Sequence, residues 1–300
     1  MGAHSSKSSS ISISPSKNRN IWTWFQAEWH EGNYPIMGSA DHGTWLGTLI
    51  FDGARYFNGV APDLDLHCAR ANKSIKSLGM NPVISTDEMV ALANEGIKKF
   101  DKDAALYIRP MAWSLEGGAG VVVADPNTTA FAMCLEEFAM PPADKTTTLT
   151  TTQFIRPTLA SATVDAKAAC LYPNNARMIR EAESKGFANA ICCDVLGNVA
   201  ETALSNIFMV KNGEYFTPIP NGTFLNGITR QRIIKLLRAN GEKVSEVTLQ
   251  LDDFRTADEI FLTGNYSKVT GVSKFEEREY EHGAKSKLAR QLYWDWAKNS

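Results

Sequence analysis

Apolar residues recur along this chain with two periods, and each period predicts a different kind of element. Between Asp63 and Leu78 they fall at Leu64, Cys68, Ala71, Ile75 and Leu78, the spacing of one helix face, and Gly79 stands where a helix C-terminus turns into the left-handed region. His67, Arg70 and Ser74 share a different face of that helix. Ser85 and Glu88 have capping-box spacing, which starts a second helix running through Phe100. Pro173 in a first turn and Gly186 past a last one frame a third helix over Pro173–Lys185. Two more are predicted over Thr229–Asn240 and Ser286–Lys298.

Shorter β-rich runs fill the intervals. Ordered structure starts near Ile21, in an aromatic-rich stretch to residue 29. The run from Thr48 to Gly59 reads as a hairpin turning at Asp52-Gly53, and Ala105–Trp113 and Ala130–Phe138 read as strands. The threonine-rich run 146–156 predicts another strand. Asn189–Val195 and Val199–Val210 flank a turn at Gly197-Asn198, and Asn212-Gly213 is the strongest turn signal in the chain. Helices mix with antiparallel strands without regular βαβ alternation, which predicts an α+β fold. The proline-containing, polar segment Ala139–Lys145 divides it into a small N-terminal α/β domain (21–140) and a larger C-terminal domain (141–300). Residues 1–20, rich in serine and poor in apolar residues, are expected to form a disordered tail.

Composition narrows the function by exclusion. A net charge of −2, without a basic stripe or an acidic tail, argues against nucleic acid or an anionic membrane surface as a partner. The longest apolar runs, such as Gly120–Ala124, are far too short to span a bilayer. Five cysteines with no Cys-x-x-Cys spacing read as reduced thiols of a cytoplasmic protein. The five histidines are scattered, so no metal site is expected. No nucleophile elbow, Walker motif or dinucleotide fingerprint is present, and Gly117–Gly120 reads as a loop.

The remaining chemistry lies between Lys167 and Arg230. A pyridoxal phosphate enzyme needs a lysine whose amine loses its proton readily. It needs an anion opposite the ring nitrogen and a phosphate cradle, most simply a helix N-terminus with an arginine. Lys167 is followed five residues on by Tyr172; Glu201 is followed by Asn206-Ile-Phe208; then come Phe216-Thr-Pro218 and Leu225-Asn-Gly227-Ile-Thr-Arg230. In this order the motifs resemble the class IV (fold type IV) aminotransferases, the family of the branched-chain and D-amino-acid aminotransferases. His67-x-x-Arg70 and Ala257–Gly264 are also similar, and the likeness runs from about Gly38 to Val272. The resemblance implies a two-domain fold with pyridoxal 5'-phosphate between the domains and a homodimer as the active unit. It implies Lys167 as the covalent anchor and proton carrier, Tyr172 on the cofactor's phenolic oxygen and Glu201 at its ring nitrogen. Arg70, with the N–H groups of Ile228 and Thr229, would hold the phosphate, and Asn265 could donate to it as well.

Substrate signals point in two directions. Tyr107-Ile-Arg109-Pro110 looks like the branched-chain enzymes, where tyrosine and arginine serve the substrate carboxylate. Trp45-Leu-Gly47-Thr-Leu49 stands in place of that group's Phe-Glu-Gly-x-Arg/Lys, keeping aromatic and glycine and losing the charge. Tyr266 follows Asn265 where the family has a small residue, and would narrow the pocket or add a hydroxyl. The expected activity is therefore branched-chain-like transfer of an amino group to a 2-oxo acid, with Trp45, Tyr107, Arg109 and Tyr266 on the substrate. An (R)-selective amine transaminase, a D-amino-acid aminotransferase, an aminodeoxychorismate lyase-like enzyme and a non-catalytic binding protein stand as alternatives.

Overall fold

The computed structural model describes residues 19–299; the expected tail lies outside them through residue 18. Two sheets organise the chain. The first is built from β1 (Ile21–Phe25), β2 (Glu28–Glu31), β3 (Leu49–Phe51), β4 (Ala54–Tyr56), β5 (Leu106–Ser114) and β6 (Thr129–Glu137). Its order is β2-β1-β6-β5-β3, with β4 also on β5, and every pairing is antiparallel. A one-turn helix, α1 (His42–Trp45), precedes β3, while α2 (Leu64–Ser77) and α3 (Thr86–Ile97) lie between β4 and β5. Both longer helices sit where periodicity placed them. Ser85 and Glu88 close the capping box reciprocally, and Gly79 takes φ +78° after α2. Ala71, Ile75, Met89 and Ala93 of the helices meet Leu106, Ile108 and Leu135 of the sheet in one core. Each large side chain buried there contributes about 1.5–3 kcal/mol.

The hairpin expected at Asp52-Gly53 is not one. Leu49–Phe51 pairs with Trp113–Met111, and Ala54–Tyr56 pairs with Ile108–Leu106. Both segments therefore run along β5 as a single edge, interrupted at Asp52-Gly53. The cause is local. Asp52 is fully buried under His67 and Arg70, and the Tyr107 phenol covers Gly53 so closely that a Cβ there would lie 2.1 Å from its oxygen.

The second sheet comprises β7 (Thr146–Thr151), β8 (Asn189–Cys193), β9 (Val199–Thr202), β10 (Asn206–Lys211), β11 (Glu214–Pro218), β12 (Val244–Val247), β13 (Glu259–Gly264), β14 (Lys268–Phe275) and β15 (Arg278–Glu279). Its order is β12-β11-β10-β13-β14-β7-β8-β9, with β15 on β14. The helices are α4 (Tyr172–Ser184), α5 (Ile228–Ala239), α6 (Leu251–Arg255) and α7 (Ala284–Ala297). The threonine run forms a strand only to Thr151. The single strand expected over Val199–Val210 is two, because Thr202 N–H donates to the Ser205 carbonyl and Thr202 Oγ1 bonds to Ser205 as well. That turn sends β9 to β8 and β10 to β11 and β13. Asn212 and Gly213 both have positive φ and join β10 to β11 as a tight hairpin.

Alternation along β10 buries both of its faces. Phe208 and Val210 meet Ile233 and Leu237 of α5 and Tyr293 of α7, while Ile207 and Met209 meet Phe254 and Phe275 on the opposite side. The first sheet uses residues 21–137 and the second 146–279, so the chain crosses between them through the proline-containing segment. This is a two-domain α+β architecture. All five cysteines are unbonded, and among the described residues no helix is long and apolar enough to cross a membrane.

Candidate active site

Arg70, Lys167, Tyr172, Glu201, Ile228, Thr229 and Asn265 line one cleft. Every residue expected to hold the cofactor is thus brought to one place, from both sequence halves. Helix α2 explains part of the convergence: His67, Arg70 and Ser74, off its apolar stripe, face the cleft and its lysine. Ser74 Oγ accepts the Lys167 N–H at 3.0 Å, and the Lys167 carbonyl accepts Phe51 N–H at 3.2 Å, locking the anchor's backbone to the first sheet.

The Lys167 amine is hydrogen-bonded to the Tyr172 hydroxyl and lies 4.5 Å from the Phe51 ring centre. Burial lowers its pKa, against the pull of Asp52, which enlarges its neutral, nucleophilic fraction. Burial, followed by the Glu201 charge, pushes the Tyr172 phenol up to about 12, so it stays a proton donor at neutral pH.

Glu201 is buried and engaged on both oxygens. Oε1 receives Arg156, and Oε2 receives Asn206 Nδ2 at 3.1 Å. Burial raises its pKa, opposed first by Arg156 and then by Lys167. Arg156 is held in turn by Asn175 at 2.6 Å; burial works against its charge, but Glu201 outweighs it and raises its pKa. Neither Arg156 nor Asn175 carries a sequence signal of its own: an arginine 45 residues before a glutamate becomes its partner only through the second sheet.

Asn206 joins this acid to the opposite end of the cleft. Its Oδ1 accepts Gly227 N–H at 3.2 Å, at the cap of α5. A Cβ on Gly227 would lie 2.2 Å from that oxygen, so glycine is required here by close approach, not by φ. The N–H groups of Ile228 and Thr229, at the start of α5, have no intrahelical acceptor. Arg230 does not serve the cleft. It is buried, and bonds to Pro218 and Glu246 to tie α5 to the sheet.

On the facing wall Asp52 binds Arg70 through Nε at 2.6 Å and Nη2 at 2.8 Å, and His67 through Nδ1 at 2.8 Å. Burial opposes the Asp52 charge, but Arg70 and His67 win and hold its carboxyl well below the usual range. Burial brings His67 down to about 4, against Asp52, so it is neutral, with Nδ1–H toward the carboxylate. This clamp sets the Arg70 guanidinium and leaves Nη1 uncommitted among the described residues. His67 Nε2, Thr263 Oγ1 and Asn265 Nδ2 are buried without a hydrogen-bond partner, and all three residues line the cleft. The unpaired Thr263 hydroxyl and Asn265 amide, donors beside a helix N-terminus and an arginine, fit a phosphate, and a lysine facing a tyrosine and a buried acid fits a pyridoxal ring.

The four substrate candidates do not line this cleft. Trp45 is 55% exposed, edge-on to His42. Arg109 pairs with Glu136 at 3.3 Å. Tyr107 reaches over Gly53, and its phenol is close enough to act electrostatically on Lys167, Arg70 and Arg55. Tyr266 is 47% exposed and packs T-shaped on Phe138 at 5.4 Å. The placement of Trp45 corrects the sequence comparison. The Phe-acid-Gly-x-Arg run is Phe51-Asp52-Gly53-Ala54-Arg55, six residues later than Trp45–Leu49, and its charge is kept. Arg55 is fully buried, donates Nη2 to the Phe138 carbonyl at 2.5 Å, and has no partner for Nε or Nη1. Burial brings it down to about 10, against Tyr107 and Tyr266.

Residues 49–275 match the family described as amino-transferase class IV. The chain belongs to that family. It is 31% identical to a probable branched-chain-amino-acid aminotransferase of Aquifex aeolicus over 87% of this chain and 86% of that protein. A probable branched-chain-amino-acid aminotransferase of Rickettsia felis is 30% identical, over 76% of this chain and 77% of the relative. Among solved structures, an aminotransferase from Brucella abortus bound to the cofactor PLP superposes with a TM-score of 0.92 at 58% identity, covering 93% and 99% of the two chains. The Escherichia coli branched-chain amino acid aminotransferase superposes with a TM-score of 0.84 at 25% identity, covering 93% and 95%.

Proposed function

We propose that this class IV aminotransferase uses pyridoxal 5'-phosphate to move the amino group of a branched-chain amino acid to a 2-oxo acid. The observation that carries this reading is the convergence of Lys167, Tyr172, Glu201, Arg70 and the α5 N-terminus on one cleft. When bound, pyridoxal phosphate supplies an aldehyde that accepts the amino group and a ring that withdraws electrons from the α-carbon. Lys167 anchors it and, through its neutral Nζ, carries the proton to and from the substrate's α-carbon. Tyr172 O–H orients the phenolic edge. Glu201, kept in place by Arg156 and Asn206, would serve the ring nitrogen and favour a proton there. Arg70, the Ile228 and Thr229 N–H groups and Asn265 bind the phosphate, which fixes the ring against the lysine.

Relatives named as branched-chain enzymes support the substrate class, as does the retained Arg55 beside Tyr107. We assign these two residues, paired across β4 and β5 behind the cleft, to the carboxylate side of the substrate pocket. A second reading is an (R)-selective amine transaminase, and Tyr266 favours it, because a bulky, half-exposed phenol beside Arg55 narrows the room for a carboxylate-bearing donor. A donor panel with 2-oxoglutarate and pyruvate separates the two. L-Leucine is expected to outrun D-alanine and (R)-1-phenylethylamine, and the reverse order contradicts the branched-chain reading. Release of pyruvate from aminodeoxychorismate, in a separate assay without amino transfer, would instead indicate a lyase.

The working unit of this reading is a cytoplasmic homodimer. Val121, Val122 and Val123 stand exposed in the loop between β5 and β6, at 73% for Val122, an apolar patch that a second copy would cover. Unbonded cysteines agree with a reducing compartment, and recovery in a membrane pellet on cell fractionation would count against it.

A further inference from the structure

Lys268 is a fully buried cation. It is 1% exposed, yet among the described residues no carboxylate lies within ion-pair distance of its amine. The Nζ has one hydrogen-bond acceptor, Asn265 Oδ1 at 2.7 Å, and the ring of Tyr293 at 5.7 Å. Its neighbours do not neutralise it. Asp63 acts from a distance and is itself paired with Arg232, while Arg55 and Arg70 add positive charge. A buried ammonium so placed is costly unless something anionic arrives. The backbone is strained as well. Lys268 closes the three-residue loop between β13 and β14 at φ +61°, a left-handed position that favours glycine. Burial without a counter-ion and a left-handed lysine are independent costs carried by one residue.

We propose that Lys268 is a positioning residue of the phosphate site, holding Asn265 with its amide N–H groups toward the cleft and placing positive charge behind the phosphate. In its charged form the Lys268 amine can only donate, so the amide oxygen of Asn265 faces it. Asn265 Nδ2 is then the atom left buried and unpartnered, and Asn265 lines the cleft beside Thr263 and the α5 N-terminus. Arrival of a phosphate satisfies that N–H and supplies the anion the ammonium lacks. Burial brings the Lys268 amine down to about 7, with Arg55 and Arg70 acting the same way and Asp63 against them. A nearby phosphate dianion therefore draws it back to the charged form.

This proposal rests on the cleft binding pyridoxal phosphate, and the experiment separates the two. Full-length protein freed of cofactor is titrated with pyridoxal phosphate, with pyridoxal and with inorganic phosphate, for wild type and Lys268→Met. The variant is expected to bind pyridoxal phosphate and inorganic phosphate roughly tenfold to a hundredfold more weakly, the worth of a charge-assisted hydrogen bond, and pyridoxal unchanged. An unchanged preference for pyridoxal phosphate over pyridoxal overturns the role of Lys268 alone, and so does equal loss of both, which marks a merely structural residue. Wild-type protein that binds neither aldehyde overturns the cofactor reading with it. Methionine fills a similar volume without a charge. If that variant does not fold, Lys268→Gln gives the same comparison, with the same outcomes deciding it.

Discussion

At the scale of residues, the cleft places its charges in buried clusters and leaves selected atoms empty. Asp52 takes one edge of Arg70, and Glu201 takes Arg156, so these two groups are each fixed by an oppositely charged neighbour before any substrate enters. Arg55 differs, with Nε and Nη1 buried and empty beside Tyr107 and Tyr266. Arg109, by contrast, is already committed to Glu136. Arg55→Met is therefore expected to raise KM for both L-leucine and 2-oxoglutarate by about tenfold or more, since a hydrogen bond to a charged group is lost. Arg109→Ala should change them by less than roughly threefold, as partly exposed pairs do. Steady-state kinetics of the two variants checks this, and the reverse ranking would return the carboxylate to Arg109.

At the scale of elements, how much could be read in advance follows from what each signal depends on. Helices α2, α3, α4, α5 and α7 were legible because their periodic stripes, caps and flanking glycines are local. The seven residues expected to hold the cofactor come from ordered motifs, and the fold brings them to one cleft. Asp52-Gly53 was misread for a physical reason. Asp-Gly between β-rich runs has the chemistry of a two-residue turn, but the buried pairing of Asp52 with Arg70 and His67 keeps the chain running along β5. The same sequence, read at its true position, is the Phe-acid-Gly-Ala-Arg run that seemed lost at Trp45. The break between β9 and β10 depends on one Thr202–Ser205 turn. Its consequence is that Glu201 and Asn206, on either side, meet again through Nδ2. Arg156, Asn175 and Lys268 gain their roles only from tertiary contacts.

At the scale of the whole molecule, two sheets supply opposite walls of one cleft. The first gives Arg70 through α2, set by Asp52; the second gives Glu201, the α5 N-terminus and the Asn265 turn. A homodimer is expected from the exposed valines of the β5–β6 loop, and sedimentation of the full chain as a monomer at micromolar concentration would contradict that expectation. The central claim, however, is that Lys167 is the group that moves the proton in amino transfer. Its most direct test is a single-turnover reaction of cofactor-loaded protein with L-leucine, followed by cofactor absorbance in wild type and in Lys167→Ala. Wild type is expected to convert its cofactor to the amino form and to be restored by 2-oxoglutarate. Lys167→Ala should retain the fold and bind the cofactor, yet show no conversion on the same time scale. Conversion by Lys167→Ala at the wild-type rate would contradict the account.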